Sequence, residues 1–139
     1  MLYVDIKEPK DFFKKLLKDD IFDKFLVHGV EVLSFMQFEI TRDTVGNNCT
    51  WGVLRPYVFN IIKGANLPRL INISLMFDEP QSLHNNAKAL FLNIYFENNV
   101  GHITTGVSQK IFDLDKSLEH MWEDYIKQFL NNNKIDMIV

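Results

Sequence analysis

Four histidines, one cysteine and a set of regularly spaced lysines are the residues of this chain whose chemistry could be put to use. His120 has Glu119 beside it, Glu123 three residues on and Asp124 four residues on, a spacing that shares one side of a helix. An imidazole with two or three carboxylates can hold a divalent cation. A helix surface carrying its charges opposite an apolar side accounts for the same residues, so no metal site and no cofactor are assigned. Cys49 or Ser108 would act as nucleophile only with a base in hydrogen-bond reach and an acid to orient that base. The sequence around neither supplies such a motif. The six glycines are scattered singly, which leaves no phosphate-cradling loop. No catalytic residue is assigned.

Lys10, Lys14 and Lys18 recur at four-residue intervals and line one side of a helix, while Arg55 and Lys63 flank a second. These five are the candidate phosphate-contacting residues, since converging cations bind a nucleic-acid backbone by releasing its counterions. Between Lys7 and Lys24, however, six lysines face five carboxylates, which is also the composition of a solvated helix face. The whole chain carries a net charge of −3, which argues against an obligate binder of nucleic acid or anionic membrane. DNA binding, if present, is expected to be weak and sequence-independent. Trp51, Trp122 and Tyr125 each fall on an apolar-periodic side and read as core anchors rather than ligand stackers.

These residues need elements to position them. Leu2, Val4 and Ile6 alternate with polar neighbours and open the chain as a strand. Pro9 suits the first turn of a helix; Phe12, Phe13, Leu16, Leu17, Ile21 and Phe25 fall on one side at helical spacing in the segment that follows, and Asp19-Asp20 ends the helix or marks a break before a second turn. From Leu26 to Thr41 the period becomes two, with Val30, Val32, Ser34, Met36, Phe38 and Ile40 on one face. That pattern predicts one long strand bent near Gly29 or Ser34. Arg42–Asn48 is a polar loop. Thr50–Leu54 reads as a strand leading into a helix from Pro56 to Lys63, ended by Gly64. Three alternating strands follow, around Ile71–Phe77, Leu90–Phe96 and Ile103–Ile111. The last two form a hairpin through the Glu97–Gly101 turn. Asp115 is placed to cap a final helix reaching Leu130. Leu118, Met121, Trp122, Tyr125, Ile126, Phe129 and Leu130 cover about half its circumference, wider than an ordinary amphipathic stripe. The tail Ile135, Met137, Ile138, Val139 is apolar as well.

With 139 residues, 47% of them hydrophobic and 12 phenylalanine, the chain is long enough for one globular domain spanning residues 1–139. No apolar run approaches the roughly 18 residues that span a bilayer, and the opening residues are charged too soon for a signal peptide. The single Cys49 has no internal disulfide partner and fits a reducing compartment. A soluble, cytoplasmic protein is expected.

Two resemblances add to this reading. Leu54-Arg55-Pro56, Phe59, Ile62-Lys63-Gly64, the strand end Thr104-Thr105-Gly106, and Leu114 through His120 with Trp122 resemble a family of small proteins from low-GC Gram-positive bacteria. That family is a domain of unknown function, and it brings no activity or binding residues with it. The order strand, helix, strands, repeated, is also similar to one domain of a bacterial DNA sliding clamp, which is built from two β-α-β-β-β halves. Val53–Phe112 carries most of that likeness. This chain departs in having room for only about two strands after its first helix and in adding a C-terminal helix. The clamp resemblance implies that both helices share one side, with Lys10, Lys14, Lys18, Arg55 and Lys63 turned toward a phosphate backbone.

The fold class expected is α+β, an antiparallel sheet with two β-α-β-β(-β) halves and a C-terminal helix. The function that follows is a non-enzymatic binding or scaffolding module, monomeric or dimeric, with a protein partner. An accessory factor touching DNA or replication proteins through a clamp-like helix face is one alternative. A small-molecule enzyme without a recognisable motif is another. An apolar groove with a polar rim, an electropositive helix face, or a deep pocket of converging titratable groups would separate the three.

Overall fold

A computed structural model describes residues 1–34, 36–62 and 68–138. The chain runs β1 (Tyr3–Ile6), α1 (Pro9–Leu17), β2 (Leu26–Leu33), β3 (Gln37–Thr41), α2 (Arg42–Val45), α3 (Trp51–Ile62) and β4 (Leu70–Met76). A 3₁₀ turn at Pro80–Ser82 precedes β5 (Ala87–Glu97), β6 (Val100–Gln109), α4 (Ser117–Asn132) and β7 (Met137–Ile138). Seven strands form one antiparallel sheet in the order β3-β2-β4-β5-β6-β1-β7. The α+β class and the C-terminal helix are those the sequence predicts.

Alternation along each strand decides which face is covered. Val4, Val32, Ile73, Leu92, Ile94 and Ile103 share one face and are buried. On the opposite face stand Asp5, Glu31, Asn72, Tyr95 and His102, partly or fully exposed. Helices α1, α3 and α4 cover the apolar face. Phe13 of α1 meets Phe96 edge-on at 5.0 Å, and the Trp122 indole of α4 donates to the Phe91 carbonyl at 2.8 Å. The Trp51 indole at the start of α3 donates to the Leu16 carbonyl at 2.8 Å, so α1 and α3 lie side by side. Both indoles are fully buried with their N–H satisfied, as a buried tryptophan requires.

The Leu26–Thr41 segment is two strands, not one bent strand. It folds back after Leu33, and the Ser34 N–H donates to the Met36 carbonyl at 3.0 Å. The side-chain phase survives, because Val30 pairs with Ile40 and Val32 with Phe38 on the same face. β4 begins opposite Leu33, at Leu70, and the chain that folds back pairs with β2 on its other edge instead. An irregularity between Val27 and Gly29 places His28 at a bulge.

Thr50–Leu54 is not a strand either. Thr50 makes a single bridge to Leu26, and the helix begins at once with Trp51 and continues through Pro56. The Trp51 N–H donates to the Phe25 carbonyl at 2.8 Å, and burial of Trp51, Leu54 and Val58 holds the first turns despite the donor lost at Pro56. The predicted helix stop at Gly64 lies outside the described residues.

Arg42–Asn48 is not a loop throughout: Arg42–Val45 form the short helix α2, whose last turn closes with the Gly46 N–H on the Arg42 carbonyl at 2.8 Å. The β5–β6 turn is as predicted. Asn98 and Asn99, with φ of 53° and 66°, make the two-residue turn between Glu97 and Val100, left-handed positions that asparagine tolerates. Asp115 is not the cap expected of it: Lys116 takes the N-cap position without a side-chain bond, and Asp115, one residue earlier, accepts the Ser117 N–H at 3.0 Å. The apolar tail has a structural use: Ile135 is buried, and Met137 and Ile138 pair with Ile6 and Asp5. Among the described residues no helix is long and apolar enough to cross a membrane.

Candidate binding cleft

The wide apolar side of α4 divides its work. Leu118, Trp122, Ile126 and Leu130 go to the core and are fully buried, while Tyr125 and Phe129, on the flank, stay half-buried. That flank forms one wall of a cleft of about 510 Å³. Ile21, Phe25, Phe77, Tyr125 and Phe129 line it, and Asp23, Lys24, Thr50 and Asp78 form its rim. The rings hold each other edge-to-face: Phe77 on Tyr125 at 5.3 Å, Phe25 on Phe129 at 5.4 Å, Phe25 on Phe77 at 6.4 Å. Tyr125 also stacks on Trp122 at 5.4 Å with an interplanar angle of 14°. A wall braced this way cannot collapse into the cleft without losing ring contacts worth about 0.5–1.5 kcal/mol each. Tyr125 is therefore a lining residue, not the core anchor expected of it; Trp51 and Trp122 are core anchors.

The rim is anchored by Arg55. Its Nε and Nη2 donate to the two carboxylate oxygens of Asp23 at 2.8 and 2.9 Å, and its Nη1 to the carbonyls of Lys18 and Leu17 at 3.0 and 3.4 Å. The bond to Asp23 holds the guanidinium above its already high proton affinity. Gly52 leaves room for this pair, because a β-carbon there would lie 3.0 Å from Cβ and Cγ of Asp23.

Of the candidate phosphate contacts, Arg55 and Lys18 are neighbours, and each is engaged within the chain. Arg55 is spent on Asp23 and two carbonyls at the end of α1. Lys18 places its ammonium over the Phe59 ring at 5.4 Å. Lys10 and Lys14 are exposed on α1, where Asp11 pairs with Lys15 at 3.0 Å. Lys63 lies outside the described residues. The uncovered sheet face has the opposite sign: Asp5, Glu31, Glu39 and Glu97 share it with a Tyr3–His102–Tyr95 stack, 4.8 Å between successive rings.

The model of a family of unknown function, DUF5721, matches residues 15–137. The chain belongs to that family. No curated protein and no solved structure matches it. The DUF5721 span contains the whole cleft and Arg55, whereas Lys10 and Lys14 precede it.

In this DUF5721 chain a serine and a histidine do come together, at a place the sequence did not mark. His84 Nε2 lies 3.2 Å from Ser117 Oγ. Its Nδ1, however, accepts the Asn86 N–H at 3.1 Å, so the neutral ring carries its proton on Nε2 and donates to the serine. A ring in that tautomer is no base toward Ser117. Cys49 is half-buried with its thiol 3.7 Å from the Thr50 carbonyl, and Ser108 pairs across the sheet with Ala89. Around His120, Glu119 and Glu123 turn instead to the Met1 ammonium, 3.0 Å from Glu123 and closer to Glu119. That contact raises the amine's proton affinity and holds the Glu119 carboxyl below its usual range. Among the described residues no three His, Cys, Asp or Glu side chains converge on a metal position.

Phe25, Phe77 and Asp78 were not singled out by the sequence as site residues. The one signal that pointed here was the excess width of the α4 stripe, which exceeded what a sheet contact needs.

Proposed function

We propose that this chain is a non-enzymatic binding module that receives an apolar or aromatic side chain of a protein partner in the cleft between α4 and the ends of β2 and β4. The observation that carries this is the cleft itself: the half-buried rings of Phe77, Tyr125 and Phe129, braced on the buried Phe25, beneath a rim of charged and polar groups. Aromatic pockets with a polar rim are where binding energy concentrates at protein interfaces. A catalytic use is disfavoured by the rim chemistry, because Asp23, the rim carboxylate nearest a cation, has both oxygens engaged by Arg55.

The half-buried, unpaired thiol of Cys49 supports a cytoplasmic location. Contact with DNA through a clamp-like helix face is the second reading. The side-by-side placement of α1 and α3 favours it, and the internal use of Arg55 weighs against it.

A photoreactive amino acid at the exposed rim position Lys24 tests the first reading. In extract of the native cells it is expected to give a discrete protein adduct that unlabelled protein competes away and that Tyr125→Asp abolishes while the fold is retained. Adducts that survive both controls would refute the cleft as the site.

A further inference from the structure

The sheet face that no helix covers carries a row of directly opposed side chains. The register sets Glu39 against Glu31, Glu31 against Asn72, Asn72 against Tyr95, Tyr95 against His102 and His102 against Asp5. Opposed residues of antiparallel strands stand on one face, so this row crosses six of the seven strands. Its aromatic part is ordered. Tyr95, His102 and Tyr3 stack ring on ring, 4.8 Å between successive centroids with interplanar angles of 28° and 26°, and the Tyr95 hydroxyl is tied to Glu97. His102 covers one face of the Tyr95 ring from the β6 side. The other face looks toward β4, where the short, exposed Asn72 stands, and beyond it to Glu31 on β2. Two strand spacings, roughly 9–10 Å, separate Tyr95 from Glu31. The row thus contains a slot with a ring for one wall, a carboxylate for the other and an amide for its floor. The Tyr95 phenol is raised above its usual value by its bond to Glu97 first and by the Glu31 charge among the rest, which places Glu31 within electrostatic reach of the ring.

We propose that this face receives a protein partner through an arginine-bearing segment, with a guanidinium lying between Tyr95 and Glu31. Two features select that chemistry. The first is charge. Asp5, Glu31, Glu39 and Glu97 stand on this face, and among the described residues no lysine or arginine is paired on it. Lys10, Lys14 and Lys18 lie on α1, across the sheet. One side of a chain whose net charge is only −3 therefore attracts cations and repels nucleic acid and anionic surfaces. The second feature is shape. A guanidinium is flat and delocalised, so it stacks on a ring and forks onto a carboxylate at the same time, whereas an ammonium is a point charge. The ring stack is ordered within the chain itself, which lowers the ordering cost of receiving that group.

The test is an NMR titration of the isotope-labelled full chain with a short peptide of alternating arginine and glycine, and with its lysine and glutamate counterparts. Saturable shift changes are expected at Tyr3, Glu31, Asn72, Tyr95 and His102. The arginine peptide should bind about tenfold tighter than the lysine peptide, and the glutamate peptide should not bind. Glu31→Gln, which keeps the side chain's size, should weaken the arginine peptide about tenfold. Tyr95→Leu should weaken it by a similar factor, and Tyr95→Phe, which keeps a ring face, by less. Five outcomes overturn the proposal. Three concern the peptides: no saturable shift, shifts confined to α1 or the aromatic cleft, or lysine and arginine peptides bound equally. The fourth is binding indifferent to Glu31→Gln. The fifth is the same residues shifting when the chain alone is concentrated, which would give the face to a second copy.

Discussion

Arg55 grips Asp23 with a two-pronged bond, 2.8 and 2.9 Å, and the grip ties the first turns of α3 to the end of α1 and the turn that follows it. The pair is partly buried, with side-chain exposures of 19% and 25%. Removing one partner leaves the other short of hydrogen bonds at a half-desolvated site. Arg55→Ala and Asp23→Asn are each expected to destabilise the fold by about 1–3 kcal/mol, measured by urea denaturation. Arg55→Lys should not restore the loss, because an ammonium cannot span both oxygens. Gly52→Ala should cost a similar amount by pushing Asp23 away, and the double variant Gly52→Ala, Arg55→Ala should cost less than the sum of the singles. Strict additivity would show that the two residues do not act through Asp23.

Trp122 sits at the centre of the α4 contact, fully buried, ring to ring with Phe77 at 5.6 Å and hydrogen-bonded to the Phe91 carbonyl. Trp122→Ala is expected to cost roughly 3–5 kcal/mol in the same assay, from the cavity and the orphaned carbonyl together. Trp122→Phe should recover most of the packing but not the hydrogen bond. A loss below about 1 kcal/mol for the alanine variant would mean that α4 is not part of the core.

How far these sites could be read from the sequence depended on whether local pattern or distant contact decided them. The β5–β6 hairpin was legible because alternation and an Asn-Asn turn act over a few residues. The reversal after Leu33 was not, because alternation keeps its phase through a hairpin and so cannot distinguish a turn from a bend. Trp51 was assigned to a strand because its neighbours alternate; its burial on Leu16, 35 residues earlier in the chain, overrode that propensity. The cleft failed for the same reason. Phe25, Phe77 and Phe129 are separated widely in sequence, and only the sheet register that sets Leu26 against Met76 brings the first two together. Arg55 was legible as a cation but not as an internal one, since Asp23 lies 32 residues away.

The internal engagement of Arg55 leads to a prediction for nucleic acid. With Arg55 committed and the open sheet face acidic, Lys10, Lys14 and Lys18 are what α1 can offer a phosphate backbone. Duplex DNA binding followed by fluorescence anisotropy should be undetectable or weaker than about 100 μM at 0.15 M salt, in line with non-specific contacts. Replacing the three lysines with glutamine should leave the melting temperature within about 2–4 °C of the original. Sub-micromolar, sequence-selective binding at that salt would contradict this account and revive the clamp-like reading.

The last prediction concerns pH. The Tyr95 hydroxyl donates to the Glu97 carboxylate, and this bond, followed by desolvation and by the charges of Glu97 and Glu31, raises the phenol above its usual value of 10.0. The neutral phenol is the form that the fold favours. Below pH 10 the unfolded chain is also protonated, so the bond's contribution to stability is fully present. As pH climbs past that value, the unfolded state loses its proton first, and the contribution falls away as pH rises through the folded-state pKa. Ultraviolet difference titration of wild type against Tyr95→Phe isolates this phenol from the other three tyrosines. It should titrate above the free phenol, and Glu97→Gln should bring it back toward 10.0 because the accepting charge is gone. The slope of stability against pH in this alkaline window should be shallower in Tyr95→Phe than in wild type. A phenol that titrates at or below its ordinary value in the wild-type fold would show that Glu97 does not hold it.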